Sequence, residues 1–316
     1  MTAIVVKAQQ IAVVDGNGNT DVYQTLQEAI EEAAPGSTIY LPGGGFQISD
    51  DVKITKKLSI IGIGHKAVSE NSDGNTVISG NLYFNEGSSN SAVMGCYISG
   101  NVYIGYNNSS VNNIFIQYCN LGGVSVCNNT CTGTYINQNY IRGNSFFAYA
   151  SVTMTNNIFY SANRISGGKI SNNIITYFYH YSSYSYYALS EVSNVTISSN
   201  IFLYSGRYYS HHYGSNCTSV DNMGIGNAFG DGFISINEAW TEVFKDYNNG
   251  AIDPASDFHF KGDYVQYSDC GIYGGTGFDP GALPPVPFIV AKRIPEQTDA
   301  SGKLNIKIRV KAGNED

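Results

Sequence analysis

Four stretches of the chain decide the fold: Tyr135–Ile141 (YINQNYI), Thr153–Phe159 (TMTNNIF), Lys169–Ile175 (KISNNII) and Thr196–Phe202 (TISSNIF). Each contains an asparagine followed directly by a bulky residue, and an apolar residue lies three positions before that asparagine. The pattern predicts a short strand, a polar turn and a second short strand. Weaker copies surround Asn120 and Asn227.

These stretches form an internal repeat whose anchors are Asn139, Asn157, Asn173 and Asn200, at spacings of 18, 16 and 27 residues. A unit of this size with one or two strands cannot bury its own apolar side, whereas stacked units share one continuous core. Asparagine at a recurring turn position fits a left-handed backbone bend, and its amide can hydrogen-bond to the next unit. We therefore interpret the four asparagines as a structural ladder.

The N-terminal segment predicts a cap for the stack. Residues 21–34 form an amphipathic helical pattern, with Asp21 as the N-cap, Gln24 as its capping-box partner and Pro35-Gly36 as the stop. A helix at this place would cover the unpaired strand edges of the first unit. Short strands are predicted to follow at Ser37–Leu41, Gly45–Ser49 and Leu58–Ile63.

Three parts of the sequence carry a resemblance to known proteins. TLQEAIEEAAPGSTIYLPGGGFQI (residues 25–48) and KKLSIIGIG (residues 56–64) resemble the opening of pectate-lyase-like right-handed parallel β-helix proteins. DPASDFHFK (253–261), GIYGG (271–275) and LPPVPFI (283–289) resemble the closing section of β-helix proteins from gut bacteria and their bacteriophages. The resemblance implies an all-β fold, with a capped β-helix over residues 1–275. It implies no single activity, because the superfamily includes lyases, hydrolases, adhesins and phage tailspikes.

Residues 276–316 depart from the repeat. A proline-rich connection precedes two predicted strands, Phe288–Ile294 and Lys303–Lys311, joined by a turn at Asp299–Gly302. The second strand alternates apolar and basic residues. We interpret the pair as a hairpin docked on the stack or on another copy of the chain; the alternative is a basic strand that binds an anionic polymer.

Composition excludes several classes of function. The net charge of −8 and the pI of about 5.1 argue against a nucleic-acid partner, which requires a basic face. No apolar run approaches the ~20 residues of a transmembrane helix, and no signal-peptide core is present near Met1. We therefore expect a protein without membrane insertion. The location that we expect, extracellular, at a cell surface or in a virion, is what the resemblance to β-helix proteins implies. No cofactor is predicted.

The cysteines predict no metal or redox site. None of the six belongs to a C-x-x-C pair, and no histidine lies beside them at zinc-ligand spacing. Buried free thiols are the favoured interpretation over a metal or redox site. Cys127 and Cys131 could form a local disulfide in an extracellular protein.

Carboxylates are scarce where the repeats lie, because Glu191 is the only one between Gly87 and Val220. Hydrolysis of polygalacturonate requires two acids, and calcium-dependent lyases require several to hold the ion. The repeats therefore predict no metal site and no paired-acid catalysis. Later acids could cluster or lie in solvated turns: Asp221, Asp231, Glu238, Glu242 and Asp246.

Aromatic and basic residues are abundant in two insertions, Tyr177–Tyr187 (YFYHYSSYSYY) and Tyr204–Tyr213 (YSGRYYSHHY). Equal counts from the anchors place Tyr177 beside Tyr204, and Arg164, His180 and Arg207 in one column. Tyrosine rings stack on sugars and arginine binds uronates, so a lateral glycan-binding face is predicted. Its members are Tyr177, Tyr179, Tyr184, Tyr204, Tyr208, Arg207 and His211. Loops that pack only on each other are the alternative.

The expected function is a non-catalytic surface or virion protein that contacts a polysaccharide or a cell-surface glycan, a role compatible with a homo-oligomer. One alternative is a calcium-independent lyase that cleaves a uronate polymer by β-elimination. Its candidate residues are His180, Tyr181, Arg164 and Arg207. The other alternative is a purely structural segment of a phage fibre or tailspike.

Overall fold

The structure, a computed structural model, describes residues 10–48, 52–66, 74–176, 188–203, 212–225, 230–247, 256–279, 284, 288–293, 301–303 and 307–311. Strands dominate this part of the chain, and most of them belong to one long, largely parallel sheet. This outcome agrees with the all-β class expected from the sequence.

The strands, in chain order, are short in the first half and longer in the middle. They are β1 (Ile11–Val14), β2 (Thr20–Tyr23), β3 (Thr38–Tyr40), β4 (Gly44–Gln47), β5 (Val52–Ile54), β6 (Ser59–Ile61), β7 (Thr76–Ser79), β8 (Leu82–Phe84), β9 (Ala92–Met94), β10 (Tyr97–Ile98), β11 (Val102–Ile104), β12 (Phe115–Gln117), β13 (Asn120–Leu121), β14 (Val124–Val126), β15 (Thr134–Asn137), β16 (Tyr140–Thr155), β17 (Ile158–Ser171), β18 (Ile174–Ile175), β19 (Leu189–Ser198), β20 (Ile201–Phe202), β21 (His212–Ser215), β22 (Thr218–Val220), β23 (Met223–Gly224), β24 (Ile234–Ser235), β25 (Phe244–Asp246), β26 (Asp257–Phe260), β27 (Phe288–Arg293) and β28 (Lys307–Lys311). The helices are α1 (Leu26–Glu32), α2 (Trp240–Val243) and two 3-10 turns, Tyr106–Asn108 and Gly262–Tyr267.

The parallel strands form three columns, because a strand pairs with the strand three places later in the chain. The first column contains β3, β6, β9, β12 and β15, and the second contains β4, β7, β10 and β13. The third column contains β5, β8, β11 and β14. The long strands β16, β17 and β19 bend at the corners between columns. Each of them therefore pairs with strands of more than one column. We call one pass through the columns a repeat.

The interior between the columns is filled by aligned apolar side chains. In the second column the register places the following residues in one line: Ile78, Ile98, Leu121, Ile141, Phe159, Ile175 and Phe202. None of them is more than 1% exposed. Burying one such side chain contributes about 1.5–3 kcal/mol, so the line is a large part of the core.

The predicted N-terminal helix is shorter than the pattern indicated. Helix α1 begins after Thr25, whose hydroxyl accepts from the Glu28 N–H at 3.2 Å and donates to the Glu28 carboxylate at 2.9 Å. The assignment of Asp21 as the N-cap was wrong, because Asp21 lies in β2, opposite Val13 of β1. The buried face of α1 is Leu26, Ala29 and Ile30, as its periodicity predicts.

The asparagines at the corner between the first two columns are hydrogen-bonded to one another in series. The Nδ2 groups of Asn139, Asn157 and Asn173 each donate to the Oδ1 of the next anchor, at 2.9–3.0 Å. Asn200 donates in the same way to Asn222 at 3.0 Å, so the ladder has a fifth member that the pattern did not identify. All five side chains are fully buried.

Two details of the ladder differ from the sequence interpretation. Asn120 is not an anchor, because its register partner is Tyr140 and the preceding residue, Cys119, takes the ladder position.

The left-handed bend falls one residue before the anchors. These preceding residues, which we call the left-handed column, have φ between 52° and 64°: Gly95, Tyr118, Gln138, Asn156, Asn172, Ser199 and Asp221. Asn227 lies outside the described residues.

A second core covers the outer side of the second column. Outward residues Tyr140, Ile158, Ile174, Ile201 and Met223 pack against side chains from residues 236–278. Trp240, Phe244, Phe258 and Phe260 are among them, and Trp240 stacks on Phe244 with ring centroids 5.4 Å apart. The chain therefore folds back along its own sheet after the parallel strands end.

Residues 269–279, which we call the return segment, run along the left-handed column. Asn172 Nδ2 donates to the Asp269 carbonyl at 2.7 Å, and Asn156 Nδ2 donates to the carbonyls of Ile272 and Gly274 at 2.9 and 2.7 Å. Farther along, the Asp279 N–H donates to Gln138 Oε1 at 2.9 Å. The return segment thus contacts successive repeats in the reverse of their chain order.

Strands β27 and β28 pair antiparallel, with Arg293 opposite Lys307 and Phe288 opposite Lys311. The sequence predicted strands at both places, and β28 covers the described part of the second one, since residues 304–306 lie outside the described residues. Of the described helices, none is long and apolar enough to cross a membrane.

Candidate functional site

All seven members of the predicted lateral face, and three of the four lyase candidates, lie outside the described residues. This holds for Tyr177, Tyr179, His180, Tyr181, Tyr184, Tyr204, Arg207, Tyr208 and His211. The lateral face therefore stays a prediction. Of the four lyase candidates, Arg164 is the one whose surroundings the structure gives.

Arg164 belongs to a surface cluster with Glu191 and Tyr149. Its Nε lies 3.2 Å from Glu191 Oε2, and its guanidinium lies over the rings of Phe146 and Tyr149 at 5.0 and 5.8 Å. The Tyr149 hydroxyl donates to the same Glu191 oxygen at 2.5 Å. The register explains the contact, because Asn163 is opposite Ser190 and Ser166 is opposite Ser193. Counting residues from the asparagine anchors did not identify Glu191 as the neighbour of Arg164, because the 177–187 insertion precedes this strand.

Within this cluster the positive charge of Arg164 is paired with the negative charge of Glu191. The hydrogen bond from Tyr149, together with the charge of Arg164, lowers the pKa of Glu191. The same hydrogen bond raises the pKa of Tyr149. Because Glu191 already neutralises the guanidinium, Arg164 is not arranged here as an open clamp for a uronate.

An open polar cleft of about 480 Å³ lies where the return segment meets the parallel sheet. Its walls are Tyr118, Tyr135, Asn137, Gln138 and residues 276–279. Tyr135 and Asn137 project from β15, whereas Tyr118 and Gln138 belong to the left-handed column. The bend in each repeat turns the side chain at this corner away from the core, which brings residues of two repeats to one opening.

Hydrogen bonds fix the walls of the cleft in place. Gln138 Nε2 donates to the Tyr118 hydroxyl at 3.5 Å, and Gln138 Oε1 accepts a hydrogen bond from the Asp279 N–H. Asn137 Nδ2 donates to the Thr155 carbonyl and hydroxyl at 3.2 and 3.0 Å. Thr276 donates to Asn156 Oδ1 at 3.0 Å. The polar groups therefore keep defined positions around the opening.

Burial raises the pKa of Tyr118, and the nearby groups of Asp279 and Tyr135 raise it further. Tyr118 therefore stays a protonated phenol near neutral pH, with a hydrogen available for donation. A phenol that keeps its proton can bind a ligand, but it is a poor general base at this pH.

The cleft was not recognised in the sequence. Tyr118 precedes Cys119 in a weak copy of the repeat, and Tyr135 is the first residue of a clean copy, so neither is predicted to belong to a site. The other wall comes from residues 276–279, and Asp279 is 141 residues from its partner Gln138. The local signal in the sequence is the proximity of tyrosine and amide residues, as in Gln117-Tyr118 and in Tyr135, Asn137 and Gln138.

The remaining predicted features give no further site in the described chain. All six cysteines lie within it and are free thiols, Cys127 and Cys131 included. Burial raises the pKa of Cys119 to about 12, which makes its thiol unreactive. Among the described residues no group of three or more His, Cys, Asp or Glu side chains could hold a metal ion, so the late acids from Asp221 to Asp246 form no such site there.

Comparison of the chain with family models, with curated proteins and with solved structures gives no match.

Proposed function

We propose that the three columns form a right-handed parallel β-helix, related in architecture to the pectate-lyase-like proteins. Support comes from the in-register parallel pairing of corresponding strands and from the asparagine ladder at one corner. Connections between parallel strands of one sheet are right-handed in about 98% of cases, which favours this hand. Helix α1 then covers the first repeat, and β27–β28 is the C-terminal hairpin.

We propose further that the chain is a non-catalytic protein of a cell surface or virion that binds glycan on its side. The observation that carries this proposal is the polar cleft with Tyr118 and Tyr135 in its walls. Tyrosine offers a ring face to the apolar side of a sugar and a hydroxyl to its polar edge. Amide and carboxylate groups beside the rings supply the hydrogen bonds that orient a sugar in such a site.

The chemistry around the cleft favours binding over cleavage. Among its described lining residues, Asp279 is the single carboxylate, whereas glycoside hydrolysis uses a pair. The lyase alternative depends on arginines that neutralise a uronate, and the Arg164 charge is already paired with Glu191. The proposal therefore assigns recognition, and no reaction, to this surface.

The test is binding to a glycan array by the wild-type protein and by a Tyr118→Asn/Tyr135→Ala double variant. Asparagine suits the left-handed bend at residue 118, as Asn156 and Asn172 do in later repeats. Loss of two stacking contacts predicts a fall in affinity of more than about tenfold. Tyr40→Ala, at a tyrosine that is 41% exposed on β3, is the matched control. Equal retention of glycan by the double variant would refute the assignment of the cleft, and release of unsaturated uronate ends would support the lyase.

A further inference from the structure

The outer face of the third column carries one line of aligned side chains. The register places the following residues on this line, one from each successive strand: Lys53, Tyr83, Tyr103, Ser125 and Phe146. Val124 and Val126, on either side of Ser125, are fully buried, so Ser125 points outward. A small serine therefore lies between two aromatic residues. We call the place above Ser125, between Tyr103 and Phe146, the serine slot.

One wall of the serine slot is a face of the Tyr103 ring. Tyr103 stacks on Tyr83, with ring centroids 4.8 Å apart and ring planes 10° apart. This separation matches the ~4.8 Å between neighbouring strands, so the two rings lie across the column and Tyr103 turns its other face toward Ser125. Tyr106 does not cover that face, because its ring centroid is nearer to that of Tyr83 (5.1 Å) than to that of Tyr103 (5.9 Å).

The opposite wall is a face of the Phe146 ring. The Arg164 guanidinium lies over this ring, 5.0 Å from its centroid. Arg164 follows Asn163, the partner of Phe146 on the next strand, β17. The guanidinium therefore covers the ring face that is turned toward β17, and the other face is turned back toward Ser125. Arg164, whose charge is paired with Glu191, thus supports this wall from behind.

The width of the serine slot suits a sugar ring. Tyr103 and Phe146 lie two strands apart, which separates their backbones by ~9.6 Å. Carbon atoms pack at ~3.5–4.0 Å, so a flat ring that touches both walls needs ~7–8 Å between them. A puckered pyranose ring is thicker than a flat ring and fills the width better.

The polar groups of the serine slot suit the hydroxyls of a sugar. The Ser125 hydroxyl lies at its floor, and the Tyr103 hydroxyl accepts from Asn101 Nδ2 at 3.1 Å, so that phenol keeps its hydrogen for a ligand. Amide groups close the end at Gly123, where an added Cβ would lie 3.2 Å from Asn101 Oδ1 and 2.7 Å from the Asn144 carbonyl oxygen. A pyranose presents apolar faces to the two rings and hydroxyls to these polar edges.

We propose that the serine slot binds one pyranose ring of a glycan, held between the faces of Tyr103 and Phe146. This is a second glycan site, distinct from the cleft. The cleft opens at the corner between the first two columns, whereas the serine slot lies on the third. The chain thus holds glycan at two separate places around the stack of repeats.

The experiment compares variants of the full chain on an array of oligosaccharides, followed by calorimetry with each glycan that is retained. Ser125→Leu and Ser125→Ala both lose the hydroxyl, but only leucine fills the slot. We expect Ser125→Leu to bind the slot ligand at least about tenfold more weakly than Ser125→Ala. Phe146→Leu should weaken binding by about two- to tenfold, because one ring contact is lost. The cleft variant Tyr118→Asn/Tyr135→Ala should still bind this ligand.

Urea denaturation verifies that each variant is folded. Equal affinity of Ser125→Leu and Ser125→Ala for every retained glycan would overturn the serine slot and leave the cleft as the glycan site. Should Ser125→Leu fail to fold, unchanged affinities in Phe146→Leu would overturn it instead. Binding of indole, a flat aromatic probe, that Ser125→Leu abolishes while no glycan binds there would overturn the pyranose class. Glycan binding that is unchanged in the cleft variant and lost in Ser125→Leu would support the slot and refute the cleft. Binding of no glycan by the wild-type protein would overturn both sites.

Discussion

Replacement of Asn173 by alanine tests whether the ladder stabilises the fold. The Asn173 Nδ2 donates to the carbonyls of Met154 and Ser171 and to Asn200 Oδ1, at 2.9–3.0 Å. Its Oδ1 accepts from the backbone and side-chain nitrogens of Asn157, at 2.9 and 3.0 Å. Alanine removes all five contacts from a fully buried site.

The loss of stability in Asn173→Ala depends on which of the groups bonded to Asn173 keep another hydrogen-bond partner. Ser171 O still accepts from the Asn156 N–H, and Asn200 Oδ1 still accepts from the Asn173 N–H. Asn157 Nδ2 retains the Ile136 carbonyl. The Asn157 N–H, in contrast, loses its partner in a buried place, which costs about 1–3 kcal/mol. With the weaker losses and the small cavity, we expect a decrease of about 3–5 kcal/mol in the free energy of unfolding.

Urea denaturation measures this decrease, with the fluorescence of the single tryptophan, the buried Trp240, as the probe. Asn163→Ala is the control, because the Asn163 side chain makes no hydrogen bond to the described residues and should change stability by less than about 0.5 kcal/mol. A result for Asn173→Ala within 1 kcal/mol of that control, roughly the lower bound for an orphaned donor, would refute the structural role of the ladder.

Two further predictions concern packing and pH. In Gly274→Ala the new Cβ would lie 2.0 Å from the Asp269 carbonyl oxygen, so we expect a loss of about 1–3 kcal/mol and faster proteolysis near the return segment. Gly45→Ala, where nothing lies within 4 Å, should show neither effect, and equal behaviour of the two variants would contradict the packing. Burial lowers the pKa of His65 from 6.5 to about 4, so as the pH falls the unfolded chain takes up the proton first. The stability due to the neutral ring is complete above pH 6.5 and is lost between pH 6.5 and about 4, by about 3 kcal/mol. Urea midpoints of His65→Leu should depend less on pH over this window than those of the wild type; an identical dependence would disprove the burial of an uncharged ring.

The repeats could be predicted from the sequence because the anchors recur with the same neighbours. Ile136, Met154, Ile170 and Ile197 each lie three residues before an anchor, and all four are buried side by side. Asn222 escaped this pattern because Ser219 stands at the corresponding place. At Cys119 a thiol takes the place of the asparagine side chain, because the Cys119 N–H donates to Asn139 Oδ1 and its Sγ donates to the carbonyls of Val93 and Gln117. An asparagine search therefore shifted the register by one residue.

The site could not be predicted in the same way, because its two walls meet only in the folded chain. Nothing near Gln138 indicates that residue 279 will donate to its side chain. Likewise, Arg164 and Glu191 become neighbours through a strand register that begins after an insertion. Periodicity locates residues within a repeat, whereas long insertions and a returning chain break the count on which that prediction depends.

The return segment also has a mechanical consequence. A stack of short strands held only by nearest neighbours would peel apart one strand at a time when its end is pulled. Asn172, Asn156 and Gln138 lie in three successive repeats, and the side chains of all three are hydrogen-bonded to the eleven-residue return segment. Tension applied from the C-terminal side would therefore act on several of these hydrogen bonds at once. The chain is braced against unravelling along the side on which the cleft opens.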